Sequence, residues 1–156
     1  MKTILFAAAL ALPGIAIAQT AAQPVTVTNS AFVVRQMTDA NGKVKNTLAP
    51  TDRVVPGDAL VFRHEYKNSG AKPVTAFAIN NPIPANVEYT GVEQSWAVVS
   101  IDGGKSFAPL ATLKVKKPDG TMRAAIPQDV TAVRWTFAQP IPAGGSGKVE
   151  FYAVVK

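Results

Sequence analysis

The sequence of 156 residues contains no cysteine and a single histidine, His64. Without cysteine there is no disulfide, no thiolate nucleophile and no cysteine-ligated zinc site, and one histidine leaves no histidine-rich metal cluster. Charged residues make up 17% of the chain, below the roughly 25% that is typical of soluble domains. Disorder requires low hydrophobicity with high net charge, so this composition argues against a disordered chain. We therefore expect a folded chain held together by packing and hydrogen bonds alone.

Residues 1–18 have the pattern of an export signal. Lys2 precedes an apolar run and a Pro-Gly break, and small residues lead up to the bond between Ala18 and Gln19. This pattern predicts a signal peptide cleaved at that bond. The apolar run is shorter than the roughly 20 residues that span a membrane. We expect one domain at residues 19–156, exported to the periplasm, the cell surface or the medium, with no stable membrane insertion.

The rest of the sequence indicates strands rather than helices. Residues 19–156 contain nineteen valines and four leucines, a composition that suits half-buried strands, and no stretch has sustained helical spacing. Three sets of residues alternate with a period of two: Leu60, Phe62, His64 and Tyr66; Val133, Trp135 and Phe137; Val149, Phe151, Ala153 and Val155. The predicted strands are residues 25–36, 43–48, 59–68, 74–80, 86–91, 96–101, 110–116, 131–138 and 147–155.

Turn motifs separate these strands and indicate the fold. Asn41-Gly42 predicts a hairpin. A Pro-Ile-Pro-Ala segment occurs at 82–85 and again at 140–143, and we expect two equivalent corners between sheets because proline cannot continue a ladder. The predicted structural turn positions include these corner prolines. They are Pro56, Gly57, Asp58, Pro82, Pro84, Asp102, Gly104, Pro140 and Pro142. The predicted fold is all-β, an immunoglobulin-like antiparallel β-sandwich of seven to nine strands, with a closed barrel as the alternative.

Three short segments of the sequence follow one another in an order that resembles a known family. They are VVPGDALVF at 54–62, YKNSG at 66–70 and NPIPA at 81–85. The series is similar to the conserved-repeat domain of bacterial and archaeal surface proteins, the eleventh domain-of-unknown-function family. Ser69 and Asn81 stand where that family usually has threonine and aspartate. The resemblance covers residues 47–156 and implies an immunoglobulin-like sandwich in an exported protein of the cell surface or wall.

A second motif lies at residues 100–107, SIDGGKSF. It is similar to the Asp-box of sialidases and propellers, in which an aspartate carboxylate accepts backbone N–H bonds within a tight hairpin. Gly104 supplies the positive φ that such a turn needs. Because a single copy does not build a propeller, we interpret the motif as a structural hairpin.

Catalytic and metal-binding patterns are weak throughout. His64 is the one available base for a Ser–His–Asp arrangement, and its alternating strand predicts that it packs inside the sandwich or at the sandwich end. His64, Met37 and Met122 are too few for a soft-metal site, and the turn at 39–42 lacks the later acidic ligands of a calcium loop. The glutamates Glu65, Glu88, Glu93 and Glu150 form no glycosidase pair. We predict no catalytic residue, no metal site and no cofactor.

A Lys–Asn isopeptide crosslink stays open at this point. Such a crosslink requires a buried lysine and an asparagine on neighbouring strands with an acidic side chain beside them. Lysines and asparagines are numerous in this sequence, but no recognisable crosslinking motif contains them.

Positive charge offers one further candidate. The net charge is +6 and becomes +5 when Lys2 leaves with the signal peptide. Lys114, Lys116 and Lys117 cluster before a Pro-Asp-Gly turn, and they are candidate contacts for a polyanion such as an acidic glycan. The simpler interpretation, which we favour, is a solvated strand edge that lysines protect from aggregation. The sequence has no basic segment rich in aromatic residues, so it does not indicate nucleic-acid binding.

Two function classes follow from these observations. The first is an exported, non-catalytic envelope or secreted module that acts in binding or assembly. Its partner is an envelope or surface protein, or a second copy paired through a sheet edge, with residues 19–30 as the pairing segment. The alternative is a periplasmic carrier or accessory protein that binds an anionic glycan or lipid. An enzyme dependent on His64 comes third.

Overall fold

The computed structural model describes residues 24–156, so the predicted signal peptide and its cleavage bond lie outside the described residues. Within this range two short 3₁₀ helices, Leu110–Thr112 and Pro127–Asp129, accompany ten strands. The strands are β1 Val25–Thr38, β2 Val44–Pro50, β3 Ala59–Asn68, β4 Ala78–Pro82, β5 Val87–Val92, β6 Val98–Ser100, β7 Lys114–Lys116, β8 Met122–Ala124, β9 Ala132–Thr136 and β10 Ser146–Val155. No helix in the described range is long and apolar enough to span a membrane.

The strands form two main sheets and one separate hairpin. One sheet has five strands in the order β2-β1-β3-β10-β5, and the other has three in the order β4-β9-β6. β7 and β8 pair only with each other. Every strand pair is antiparallel. The predicted all-β antiparallel sandwich is confirmed, and the eight strands of its two sheets fall within the predicted range.

The core lies between the two sheets, and the predicted alternating faces build it. Trp135 on β9 and Phe151 on β10 are both fully buried, and their ring centroids are 6.4 Å apart across the interface. The inward residues of β3 join the same layer, since the Phe62 ring stacks on Phe151 at 4.6 Å. All three alternating sets of the sequence therefore face the core, because burial of one face fixes the register of a strand.

The two Pro-Ile-Pro-Ala corners lie at opposite ends of the three-stranded sheet, because β4 and β9 are antiparallel. Residues 82–85 follow β4 and lead to β5, and residues 140–143 follow β9 and lead to β10. At both corners the chain passes from the three-stranded to the five-stranded sheet. The predicted crossing at two equivalent corners is confirmed.

Asn68, at the end of β3, ties its own turn to the second corner. Its side chain is completely buried. The Nδ2 group donates to the carbonyls of Lys72, Ile141 and Pro142 at 2.9 to 3.0 Å, and Oδ1 accepts from the Gly70 N–H at 3.0 Å. The asparagine of the YKNSG motif thus satisfies buried backbone groups from two separate connections.

The predicted strands at 110–116 and 74–80 are only partly correct. Residues 110–112 form a 3₁₀ helix, and the strand that follows it is limited to Lys114–Lys116. Val74 makes an isolated bridge to Ile141, while β4 itself begins at Ala78. The polar hairpin partner β8 was not predicted, because three residues give too short a pattern for periodicity to detect.

The two lateral sides of the sandwich differ. On one side the segment between β6 and β9 lies over the sheet edges, with its first 3₁₀ helix against β6 and its second against β5. On the other side β1 and β4 face each other across a cleft of about 360 Å³. Val25, Val27 and Asn29 line it from β1, and residues 78–81 of β4 line it from the opposite sheet.

Candidate functional site

The predicted Pro56-Gly57-Asp58 turn is anchored to the five-stranded sheet. The Asp58 carboxylate binds the Arg35 guanidinium at 2.6 and 3.0 Å and accepts the Val55 N–H at 2.9 Å. The bond from Arg35, and after it the bond from the Val55 N–H, hold the pKa of the Asp58 carboxyl below its usual value. Gly57 has a φ of +91°, which explains the glycine. These contacts fix the turn against β1.

The 100–107 motif is a hairpin loop closed by two hydrogen bonds between Val99 and Ala108. Asp102 Oδ1 accepts from Ser100 Oγ at 2.6 Å and from the N–H groups of Lys105 and Ser106. Its Oδ2 accepts from Ser106 Oγ at 2.6 Å. Gly104 has the expected positive φ, +85°. The interpretation of this motif as a well-specified hairpin is confirmed.

His64 packs inside the sandwich, as its alternating strand predicts, and is 3% exposed. Its Nδ1 is 2.7 Å from Asn29 Oδ1. An amide oxygen only accepts, so Nδ1 carries the proton and Nε2 is a buried lone pair. Burial lowers the pKa of the imidazole. Within residues 24–156 no carboxylate hydrogen-bonds to His64, so this part of the chain does not assemble a Ser–His–Asp arrangement around it.

The structure also bears on the calcium and isopeptide hypotheses. Asp39 Oδ1 accepts the N–H groups of Asn41 and Lys43, both at 2.9 Å, as expected of a hairpin turn rather than a calcium loop. No cluster of three metal-ligating side chains occurs among the described residues. Every lysine in residues 24–156 is exposed, so this range lacks the buried lysine that an isopeptide crosslink requires.

The three candidate lysines lie on the β7–β8 hairpin. Lys114 and Lys116 share one face, because they are two residues apart in β7, and they stand opposite Ala124 and Met122. Lys117 begins the turn, where its N–H donates to the Thr121 carbonyl. All three lysines are exposed. The structure thus brings two of them onto one surface and places the third at its end.

Among the described residues, no strand pairs with one edge of the N-terminal half of β1, which is called the free edge below. β3 pairs with residues 25–33 of β1, whereas β2 pairs only with residues 32–38. The Ser69 N–H donates to the Pro24 carbonyl at 2.8 Å, and backbone groups alternate in direction along an antiparallel strand. The even-numbered residues therefore direct their backbone groups toward β3. The N–H and C=O groups of Val25, Val27, Asn29 and Ala31 point away from it, beyond the sheet.

Within residues 24–156 this edge lacks the features that normally protect a sheet edge. Residues 25–31 read VTVTNSA, with no charge and no proline, although lysine, proline, short strands or a covering element usually block an exposed edge. Other edges in the described range have such protection. β2 carries Lys45 and ends at Pro50, β4 ends at Pro82 after five residues, and β6 is bonded through Val99 to Ala108. The second 3₁₀ helix packs against β5.

The role of residues 19–30 as a segment that pairs with a neighbour stays a prediction, and the described part of this segment belongs to β1. Residues 25–30 pair with β3 of the same chain, because their alternation continues that of β1 and buries Val25. Residues 19–23 lie outside the described residues. The sequence signal that marks the edge is the uncharged, proline-free alternation itself. The strand order shows that this edge is free among the described residues, and strand order cannot be read from the sequence.

Comparisons with protein-family models, with curated proteins and with solved structures find no match to this chain. The resemblance to the conserved-repeat domain of surface proteins therefore stays a prediction, which rests on residues 54–85.

Proposed function

We propose that this protein is an exported, non-catalytic module of the cell envelope that acts in binding or assembly by accepting a β-strand at the free edge of β1. The observation that carries this proposal is the row of backbone groups on Val25, Val27, Asn29 and Ala31 that faces away from β3. An added strand satisfies such a row by main-chain hydrogen bonds, a common mode of peptide recognition. The partner is an envelope or surface protein, or a second copy.

The surroundings of this edge suit strand addition. β1 pairs with β3 on one side and with β2 along its second half, so the edge is already in strand conformation before a partner binds. The inward face of the edge opens on the cleft between β1 and β4, where the Val27 side chain is 37% exposed. Backbone bonds supply affinity in this mode, and pockets for alternate side chains supply specificity.

The proposal is tested by placing a photo-crosslinking amino acid at Thr28, on the free edge, in the organism that makes the protein. Thr90, an exposed threonine on β5, is the matched control, because the second 3₁₀ helix packs against that strand. We expect a discrete adduct from position 28 and none from position 90. Adducts of equal yield at both positions, or none at either, would contradict strand addition at β1.

A second candidate function is contact with an anionic glycan or lipid through the β7–β8 hairpin. The observation that favours it is the shared face of Lys114 and Lys116, with Lys117 at its end. Two or three cations on one exposed surface attract a polyanion more strongly than the same charges spread apart. This candidate is independent of the β1 edge, since the two features lie on different elements.

Replacement of Lys114, Lys116 and Lys117 by glutamine tests this candidate by elution from an immobilised sulfated polysaccharide. The control replaces Lys43, Lys45 and Lys72, which are also exposed, so both variants lose the same charge. We expect the hairpin variant to elute at clearly lower salt than the control variant, because it loses a cluster of contacts. Equal elution of the two variants would show that net charge alone governs retention.

A further inference from the structure

We propose that an aromatic groove at one end of the sandwich binds a proline-rich segment of a partner protein in the polyproline II conformation. The groove consists of two neighbouring hollows that share Phe137 and Gln139, just after β9. The first hollow, of about 410 Å³, is also lined by Trp96. The second, of about 240 Å³, is also lined by Tyr66 and by the prolines of the second corner. This site goes beyond the proposed function, because none of the residues that line it belongs to β1.

Trp96 marks the first hollow as a surface for a partner. It is 46% exposed, whereas Trp135, the other tryptophan of the chain, is fully buried. The Trp96 ring contacts the Phe137 ring edge to face, with 5.3 Å between the centroids. A tryptophan that is exposed beside an apolar hollow is typical of a binding site, because it offers a large contact area and loses little conformational entropy when a partner covers it.

The second hollow depends on two glycines that let its walls pack closely. A Cβ atom at Gly147 would overlap the ring of Tyr66, and a Cβ atom at Gly145 would lie 2.9 Å from ring atoms of Pro142. The Tyr66 ring in turn contacts the Phe137 ring edge to face at 4.8 Å. Both walls of this hollow thus rest on the backbone at the start of β10, and a residue larger than glycine would displace them.

The spacing of the aromatic rings suits polyproline II. The Phe137 centroid is 5.3 Å from that of Trp96 and 4.8 Å from that of Tyr66, so the two outer rings lie at most about 10 Å apart. A polyproline II helix has three residues per turn and rises about 3.1 Å per residue, so residues three positions apart lie on one face about 9 Å apart. One turn therefore reaches from Trp96 to Tyr66, and aromatic-lined grooves are the usual receptors of this helix.

The chemistry of the lining favours proline over a charged ligand or a sugar. No residue that lines either hollow is charged, so charge complementarity selects an uncharged segment. A sugar carries a hydroxyl group on most of its carbon atoms, and a hydroxyl buried against aromatic rings without a hydrogen bond costs free energy. A proline ring has no polar group. The carbonyls of polyproline II have no partner within the helix, and the Trp96 indole N–H and the Gln139 amide are donors for them.

Fluorescence tests the ligand class, because Trp135 is buried and Trp96 is the tryptophan that a ligand can cover. We expect an oligoproline of about ten residues to shift the Trp96 emission to shorter wavelength, with saturation, since the ligand removes water from the indole ring. A glycine–serine peptide of the same length and a neutral glucose oligosaccharide are expected to leave the emission unchanged. No shift with oligoproline, or an equal shift with the glycine–serine peptide, would overturn the proposal. A shift with the oligosaccharide alone would identify a glycan site instead and would overturn it as well.

Substitutions locate the site by isothermal titration calorimetry with the same oligoproline. We expect Trp96→Ala to weaken binding at least about tenfold, and Trp96→Phe to weaken it less because an aromatic ring remains. Gly147→Ala is expected to weaken binding too, because its Cβ displaces Tyr66. Met122→Ala, at an exposed position of the β7–β8 hairpin, is the matched control with unchanged affinity, and circular dichroism checks that each variant is folded. Wild-type affinity of Trp96→Ala, or equal losses in Trp96→Ala and Met122→Ala, would overturn the proposal. Crosslinking at Thr28 tests the β1 edge separately, so either proposal can fail without the other.

Discussion

Asn68 shows how one side chain joins two parts of the chain that are far apart in sequence. Its Nδ2 group serves carbonyls on both the turn after β3 and the corner after β9, and its Oδ1 accepts the Gly70 N–H. The side chain has no exposed surface. A buried carbonyl that loses its donor retains the full cost of its desolvation. Both connections therefore depend on this residue.

We predict that Asn68→Ala lowers the free energy of unfolding by about 2–4 kcal/mol, because it leaves several buried backbone groups without partners. Urea denaturation followed by the fluorescence of the buried Trp135 measures this loss. Asn86→Ala, at an exposed position, is expected to change the free energy by less than about 0.5 kcal/mol.

Asn68→Asp separates hydrogen bonding from packing, because aspartate keeps the volume and loses the two N–H donors. We expect it to be at least as destabilising as Asn68→Ala, since a carboxylate then faces three carbonyl oxygens. Near-wild-type stability of Asn68→Asp would contradict the role assigned to the donors.

At the scale of the element, the hairpin loop at 100–107 is stabilised by one ionised carboxylate. Bonds from the Ser100 hydroxyl, and then from the Ser106 hydroxyl and N–H, hold the pKa of Asp102 well below its usual value. A group whose pKa is lower in the folded state than in the unfolded state stabilises the fold above its unfolded pKa. That stability is lost as the pH falls toward the folded pKa.

The loop therefore predicts a pH-dependent difference between the wild type and Asp102→Asn. The wild type is expected to be the more stable near neutral pH. The gap between the two urea midpoints is expected to narrow as the pH falls below about 4, the ordinary pKa of aspartate. Asp58, Asp119, Asp129 and Glu150 also titrate with lowered pKa values, but their effects cancel in the difference.

Asp52→Asn serves as the control, because Asp52 is exposed and accepts no side-chain hydrogen bond within the described residues. A gap for Asp52→Asn equal to that for Asp102→Asn would show that the effect does not depend on the hydrogen bonds of the loop. A gap for Asp102→Asn that stays constant down to pH 3 would show that the carboxylate charge does not stabilise the loop.

The elements differ in how well the sequence predicts them. The inward face of β3 was predictable, because four alternating residues agree on one side and burial enforces a period of two. The 3₁₀ helix at residues 110–112 was not, because a single turn of three residues repeats no pattern in the sequence; in the structure Leu110 and Leu113 both pack against the core. Tertiary packing decided the conformation of this segment.

At the scale of the whole molecule, the two sides of the sandwich differ in what covers them. The long segment between β6 and β9 covers one side with its two 3₁₀ helices, and the other side keeps the free half of β1 and the cleft beside β4. The proposed strand addition follows from this asymmetry. The lysine hairpin belongs to the covered side, so contact with a polyanion there leaves the β1 edge accessible.

The sequence by itself determined the all-β class, the faces of the main strands, the two proline corners and the Asp102 hairpin. Each of these depends on local patterns, since alternation, turn residues and short-range hydrogen bonds are written in consecutive residues. Only the tertiary structure decided that β1 continues past the end of β2, and that the backbone groups of Val25, Val27, Asn29 and Ala31 face away from β3. Strand order depends on pairings between distant segments, and a free edge is visible only when all of those pairings are known.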